Sequence, residues 1–195
     1  MKKVISYLYK LWLQAKFRNN LMIAPDVIIP LDTVFIIDSS SRINIQSGCI
    51  LRSGVELRAT NNSTLNLNSK VKIDKIVRII ATNKANVDIG EECRIGLGTV
   101  INGGGNINIG EKTLISGYVY LQSSMHDYTK DSDIIDSGYK YGDINIGRGS
   151  WLGVHSVVFP NVELGERTIV GSNAVVTKSS ERESVLVGIP AKRVK

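Results

Sequence analysis

Residues 146–180 read IGRGSWLGVHSVVFPNVELGERTIVGSNAVVTKSS. From Ile146 a large aliphatic residue returns at every sixth position: Leu152, Val158, Leu164, Val170 and Val176. Four residues after each stands a small or short side chain: Ser150, Ser156, Val162, Thr168, Ala174 and Ser180. The step recurs upstream as Ile45, Leu51, Leu57, then Leu67, Ile73, Ile79, then Ile89, Ile95, Ile101, then Ile109, Ile115, Leu121. Eighteen positions in six triplets are all Ile, Leu or Val. A self-similar period of this kind is the mark of a solenoid. The large residue points inward at the middle of a short strand, and the small one points inward near a corner. Three hexads make one triangular coil, and coils stacked about 4.8 Å apart give roughly 30 Å for six. No coil buries its faces alone, so each needs its neighbours. Glycine follows the aliphatic residue at 90, 96, 110, 147, 153, 165 and 171, where it is expected to permit positive φ or tight turning. Leu31 and Ile37 are expected to begin a partial earlier coil.

Composition agrees. The chain has 195 residues, of which Ile, Leu and Val make 59, with 4 prolines. Branched side chains favour pleated surfaces. The expected fold class is all-β: a parallel β-helix of about six or seven triangular coils with a short N-terminal helix and one long inserted loop. Two cysteines cannot make a disulfide scaffold or a cysteine zinc site. Both sit at the small inward position, so they read as core. No stretch approaches twenty apolar residues, which excludes a spanning helix. Net charge is +6, compatible with an anionic partner of unspecified kind.

Three segments follow from this pattern: residues 1–25, the coils over 26–180, and a basic tail over 181–195. The first carries Lys2, Lys3, Lys10, Lys16 and Arg18 and no acid before Asp26. Val4, Leu8, Leu11 and Trp12 recur at helical spacing, with Ile5 and Leu13 nearby. A basic amphipathic helix is expected, and Lys10 and Lys16 interrupt the apolar run a signal peptide requires. It can cap the solenoid, dock peripherally on an anionic membrane, or do both.

The repeat breaks at length once, over residues 122–145: QSSMHDYTKDSDIIDSGYKYGDIN. A long segment expelled from a compact solenoid is often functional. It begins with His126 just outside the coil, and it is acidic, with Tyr128, Tyr139 and Tyr141 offering flat faces suited to sugars. A neutral imidazole there can accept a proton near neutral pH. The second histidine, His155, falls mid-hexad and is expected to face outward.

From Ile109 the chain reads IGEKTLISGYVYLQSSMHDY, resumes as YGDINIGRGSWLGVHSVVF and ends GIPAKRVK. This resembles the acetyl-CoA-dependent sugar O-acetyltransferases of the hexapeptide-repeat class, such as galactoside, maltose and capsular polysaccharide acetyltransferases. The resemblance is strong over 89–195, and it implies a left-handed helix. It implies that His126 is the catalytic base, that Trp151 lines the pantetheine slot, and that Gly153 and Val154 lie near the thioester, where a backbone N–H receives the oxyanion. Ser172 and Thr177 would follow the cofactor on one face. Lys178, Lys192 and Lys195 would lie near the nucleotide phosphates, with Arg193 an extra charge. Asn102, Asp127 and Tyr128 are the candidate acceptor contacts. Acetyl-CoA is the implied co-substrate, in a groove between subunits of a homotrimer, with no metal, no nucleic-acid partner and a cytoplasmic location. Pro160–Asn161 stands where relatives often have Pro-Gly, and SSERES (179–184) where they have a proline-containing turn. The rivals are an N-acetyltransferase acting on an amino sugar or antibiotic, and a non-catalytic trimeric scaffold. A three-histidine zinc hydratase is excluded by the two histidines.

Overall fold

The computed structural model describes residues 2–195. Met1 and the side chains of residues 2–6, Lys2, Lys3, Val4 and Ile5 among them, lie outside the described residues. The chain winds as a left-handed parallel β-helix of about seven turns. Its three walls are parallel sheets, and the inward residues form unbroken ladders. Wall one stacks Ile23, Ile45, Leu67, Ile89, Ile109, Ile146 and Leu164. Wall two stacks Leu51, Ile73, Ile95, Ile115, Leu152, Val170 and Leu186. Wall three stacks Phe35, Leu57, Ile79, Ile101, Leu121, Val158 and Val176. All eighteen repeat positions are buried. Each such side chain contributes roughly 1.5–3 kcal/mol on removal from water.

The earlier coil exists, but in another register. It uses Ile23, Ile29 and Phe35, while Leu31 is exposed at a corner and Ile37 packs at the margin of the core. The early coils repeat at 22 residues, as in Ile45, Leu67 and Ile89, because extra residues widen the corner between walls three and one. Asn61 and Asn83 take left-handed φ of +59° and +57° there, which explains why these positions are not small inward residues.

The repeat glycines open tight turns, as where Gly153 O accepts from the Ser156 N–H (3.2 Å), but not through positive φ. None of those at 90, 96, 110, 147, 153, 165 and 171 has positive φ. A Cβ on Gly110 would lie 2.5 Å from the Arg148 nitrogen, and one on Gly153 would lie 2.6 Å from the Ser172 nitrogen. The next coil's backbone passes too close for any side chain. Left-handed φ falls two residues later, at Gly48, Gly54, Lys70, Ile76, Glu92, Gly98, Lys112, Tyr118, Gly149, His155, Arg167 and Asn173. Their N–H groups reach back to the preceding coil, as from Ile76 to Ser53 O (3.0 Å) and Tyr118 to Leu97 O (2.7 Å).

Cys49 and Cys93 are buried free thiols, and burial pushes each up to about 11. The helix spans Lys2–Phe17, shorter than the 1–25 segment, because Leu21–Ile23 already pairs as the first rung of wall one. It lies across the open end. Leu13 enters the core, Gln14 Nε2 donates to Ile23 O (3.3 Å), and Tyr9 Oη donates to Thr33 O (3.2 Å). The Lys10 ammonium donates to Pro25 O, and to Val27 O at 3.1 Å. No described helix is long and apolar enough to cross a membrane.

Candidate active site

The inserted loop is a built arm. Ser124–His126 pairs antiparallel with Tyr139–Tyr141, which sets His126 opposite Tyr139. The arm springs from the corner between walls three and one, where Ser123 Oγ donates to the Asn102 carbonyl (3.0 Å) and accepts from the Gly105 N–H (2.9 Å). Asp143 closes the root by accepting from the Asn106 N–H (2.9 Å). The three glycines Gly103–Gly105 are needed there: a Cβ on Gly104 would meet Ser124 at 2.7 Å. Asn161, at φ +63°, sits over Gly142 and shows that Asn supplies the left-handed turn in place of glycine.

His126 is exposed, its ring 4.4 Å from that of Tyr139, which in turn lies 6.3 Å from Tyr141. A row of three rings therefore faces solvent, with Tyr128 projecting beyond it. Asp127 is engaged within the arm and is 8% exposed. Its carboxylate takes the Lys140 ammonium at 2.8 Å and the Thr129 hydroxyl at 2.6 Å. Those two donors hold it down at about 2, well below the ordinary carboxylate value. Asn102 lies on the outer face of wall three, beside Gln122 at the arm's root.

Trp151 occupies wall two, between Leu114 and Ile169, and is 47% exposed. Its Nε1 donates to Ser116 Oγ (3.0 Å), a partner one coil earlier that hexad spacing alone did not single out. Gly153, Val154 and His155 turn the corner from wall two to wall three. The Gly153 N–H is spent on Val170 O (2.8 Å), which leaves the Val154 amide, unpaired among the described residues, as the donor of that pair. Ser172 lies at the same corner, one coil on. Thr177 and Lys178 do not share its face. They follow Val175–Val176 of wall three and precede Ser180, which bridges to Leu164 of wall one, so they stand at the arm's corner. The tail runs through SSERES as an ordinary turn, adds Val185–Val187 to wall two, and reverses. Lys192–Arg193 then pairs antiparallel with that strand. Lys192 and Lys195 thus end on wall two, while Arg193 is tied to Glu181 (2.8 Å). His155 is exposed, its ring 5.3 Å from that of Tyr118.

The expected residues therefore fall into two groups. Asn102, His126, Asp127, Tyr128, Thr177 and Lys178 gather at the corner between walls three and one. Trp151, Gly153, Val154, Ser172, Lys192 and Lys195 gather on wall two and its far corner. On a triangular prism that first corner is the one opposite wall two. Among the described residues, no three His, Cys, Asp or Glu side chains converge to hold a metal ion.

No family profile matches the chain. Several curated proteins to which it is similar are described as acetyltransferases. It is 33% identical over 156 residues to a Mycobacterium tuberculosis protein described as an acetyltransferase, covering 74% of this chain and 49% of that one. It is 33% identical over 98 residues to an Escherichia coli protein described as a lipopolysaccharide biosynthesis O-acetyl transferase, covering 46% and 50%. The chain spans about half the length of the curated relatives it matches. An N-acyltransferase from Bacillus cereus, solved with dTDP-4-amino-4,6-dideoxyglucose and coenzyme A, shares the fold. It superposes with a TM-score of 0.66 at 20% identity over 77% of this chain and 81% of that one.

Proposed function

We propose that the chain is an acetyl-CoA-dependent O-acetyltransferase acting on a sugar hydroxyl of a surface polysaccharide or its precursor. The observation that carries this is the division of the candidate residues into two half-sites on opposite sides of one prism. An exposed imidazole stands on a tyrosine-faced arm, and Trp151 stands beside the Gly153–Val154 corner. In a homotrimer the arm of one subunit meets wall two of its neighbour and closes a cleft. Acetyl-CoA lies along wall two, its pantetheine against Trp151 and its phosphates toward Lys192 and Lys195, cationic donors suited to them. Thr177 and Lys178 approach the nucleotide from the arm-bearing subunit.

The sugar rests on Tyr128 and Tyr139, with Asn102 at the foot of the arm. His126 takes the proton from the acceptor hydroxyl, and the oxygen attacks the thioester carbonyl. Negative charge on the carbonyl oxygen is received by the Val154 N–H. The tetrahedral adduct collapses, the acetyl ester forms, the carbon–sulfur bond breaks, and the imidazolium returns its proton to the departing thiolate. Asp127 acts by holding Lys140 and Thr129 in the arm, not by touching the sugar. A cytoplasmic location follows from the supply of acetyl-CoA, with the N-terminal helix at the inner face of the membrane.

The amino sugar bound by the Bacillus cereus relative supports an amine acceptor as the second reading. CoA release measured against a panel of neutral, acidic and amino glycans separates the two. Turnover with hydroxyl acceptors supports the first, turnover only with amino sugars supports the second, and none with any glycan contradicts both.

A further inference from the structure

The N-terminal helix has two apolar faces, and the solenoid uses one. Tyr9, Leu13 and Phe17 pack downward onto the core, joined by Lys10, whose charge is consumed by two carbonyls. On the opposite side Leu8, Leu11, Trp12 and Ala15 follow i, i+3, i+4, i+7 spacing and all face solvent. Leu8 is 57% exposed, Leu11 45% and Trp12 54%. No charged residue interrupts this stripe. Lys16 borders it, its ammonium 5.1 Å from the Trp12 ring centroid. Beside the helix a groove of about 1050 Å³ opens against wall one, with Arg18 and Arg42 on its lining and no acidic residue among the residues that form it. Neither guanidinium is in an ion pair among the described residues.

We infer that this end of the solenoid docks on an anionic membrane surface, with the Leu8–Leu11–Trp12–Ala15 stripe sunk at the headgroup boundary and Lys16, Arg18 and Arg42 against lipid phosphates. An apolar stripe bearing a tryptophan, bordered by Lys16 and with Arg18 and Arg42 beside it, is the chemistry an anionic interface selects. The three carboxylates at the corners of the first coil, Asp26, Asp32 and Asp38, accept from Ser47, Ser53 and Asn61 of the next coil, on the side away from the helix. Because the helix lies across the solenoid's mouth, its free face points away along the prism axis, and the molecule stands on the membrane by its end. The arm springs from between the fifth and sixth rungs of wall one, about 20–25 Å from the first rung, and the helix beneath that rung adds about 10 Å, which places His126 about 30 Å above the lipid. Resting on the proposed transfer reaction, this height selects an acceptor sugar held away from the bilayer on a lipid-carried glycan, not a sugar at the headgroup.

Flotation of the full chain with phosphatidylcholine vesicles, with and without about 30% phosphatidylglycerol, tests the docking. Binding to the anionic vesicles alone, weakened several-fold by about 0.5 M salt, is expected. The double variant Leu8→Glu/Leu11→Glu should lose at least tenfold in binding while melting temperature, oligomer size and CoA release with a soluble acceptor stay as in the parent. Lys16→Glu, which leaves the stripe intact, should weaken binding to the anionic vesicles. A parent chain that stays with neither vesicle overturns the inference. So does a double variant that floats like the parent, or one whose oligomer changes size, since the stripe would then join copies of the chain. Unchanged turnover on the soluble acceptor keeps any such failure separate from a failure of the catalytic reading.

Discussion

His126 and Asp127 are consecutive residues with divergent roles. The imidazole is turned outward onto Tyr139, and the carboxylate is turned inward onto Lys140 and Thr129. Since Asp127 is held at about 2 when folded against an ordinary value of 3.8, its contribution to the arm is full above about pH 4 and disappears as pH falls toward 2. The near-ultraviolet circular dichroism of the arm tyrosines should fade over that window in the parent. In Asp127→Asn it should already be weak near neutral pH; a full signal there would remove Asp127 from the support of the arm. Ile76 is the other telling residue. It holds φ of +51° while 56% exposed, a left-handed conformation that costs a branched residue roughly 1–2 kcal/mol. Ile76→Asn should therefore raise stability by about 1 kcal/mol in denaturant unfolding, and a loss would show that its exposed side chain packs more than it strains.

At the scale of the coil, the glycine that follows seven of the eighteen inward aliphatics decides how closely those rungs stack. Gly110→Ala places a methyl 2.5 Å from the Arg148 nitrogen, a backbone atom that cannot swing aside. An overpacking cost of about 1–3 kcal/mol is expected, read as a lower urea midpoint, whereas an unchanged midpoint would mean that the rungs can part locally. The inward ladder is readable from residue type at six-residue spacing because every rung of each wall carries a large inward side chain, whereas the second inward ladder of wall one, Ile43, Leu65, Val87, Ile107, Ile144 and Val162, falls two residues earlier and outside that spacing. The purpose of the glycines was not readable, since close approach and positive φ both call for glycine. The register of the first coil is masked in the sequence because Leu31 mimics the period although it lies at a corner, while Ile23 sits just behind the helix. The arm announced itself by length and by His126, but its antiparallel pairing depends on Tyr139–Tyr141, which carry no alternation strong enough to signal a strand.

At the scale of the molecule, the two groups of candidate residues lie on opposite sides of one prism, so a protomer alone holds half of each proposed cleft. The family resemblance implies that Ser172 and Thr177 share a face; the winding of the coil separates them by a wall, because residues five apart in a six-residue repeat stand at different corners. Mixed trimers should expose the arrangement. His126→Ala and Trp151→Ala chains, each inactive alone, should recover a fraction of parental turnover when refolded together, because some clefts then pair an intact arm with an intact wall. No recovery in verified mixed trimers would place both groups in one protomer's site. The most direct measurement is CoA release from acetyl-CoA by the His126→Ala chain in the presence of the glycan that the parent uses. Loss of about 10²–10⁴-fold in kcat, with KM for acetyl-CoA little changed, is predicted for removal of the general base. Turnover within a few-fold of the parent would contradict the assignment of His126 and the mechanism built on it.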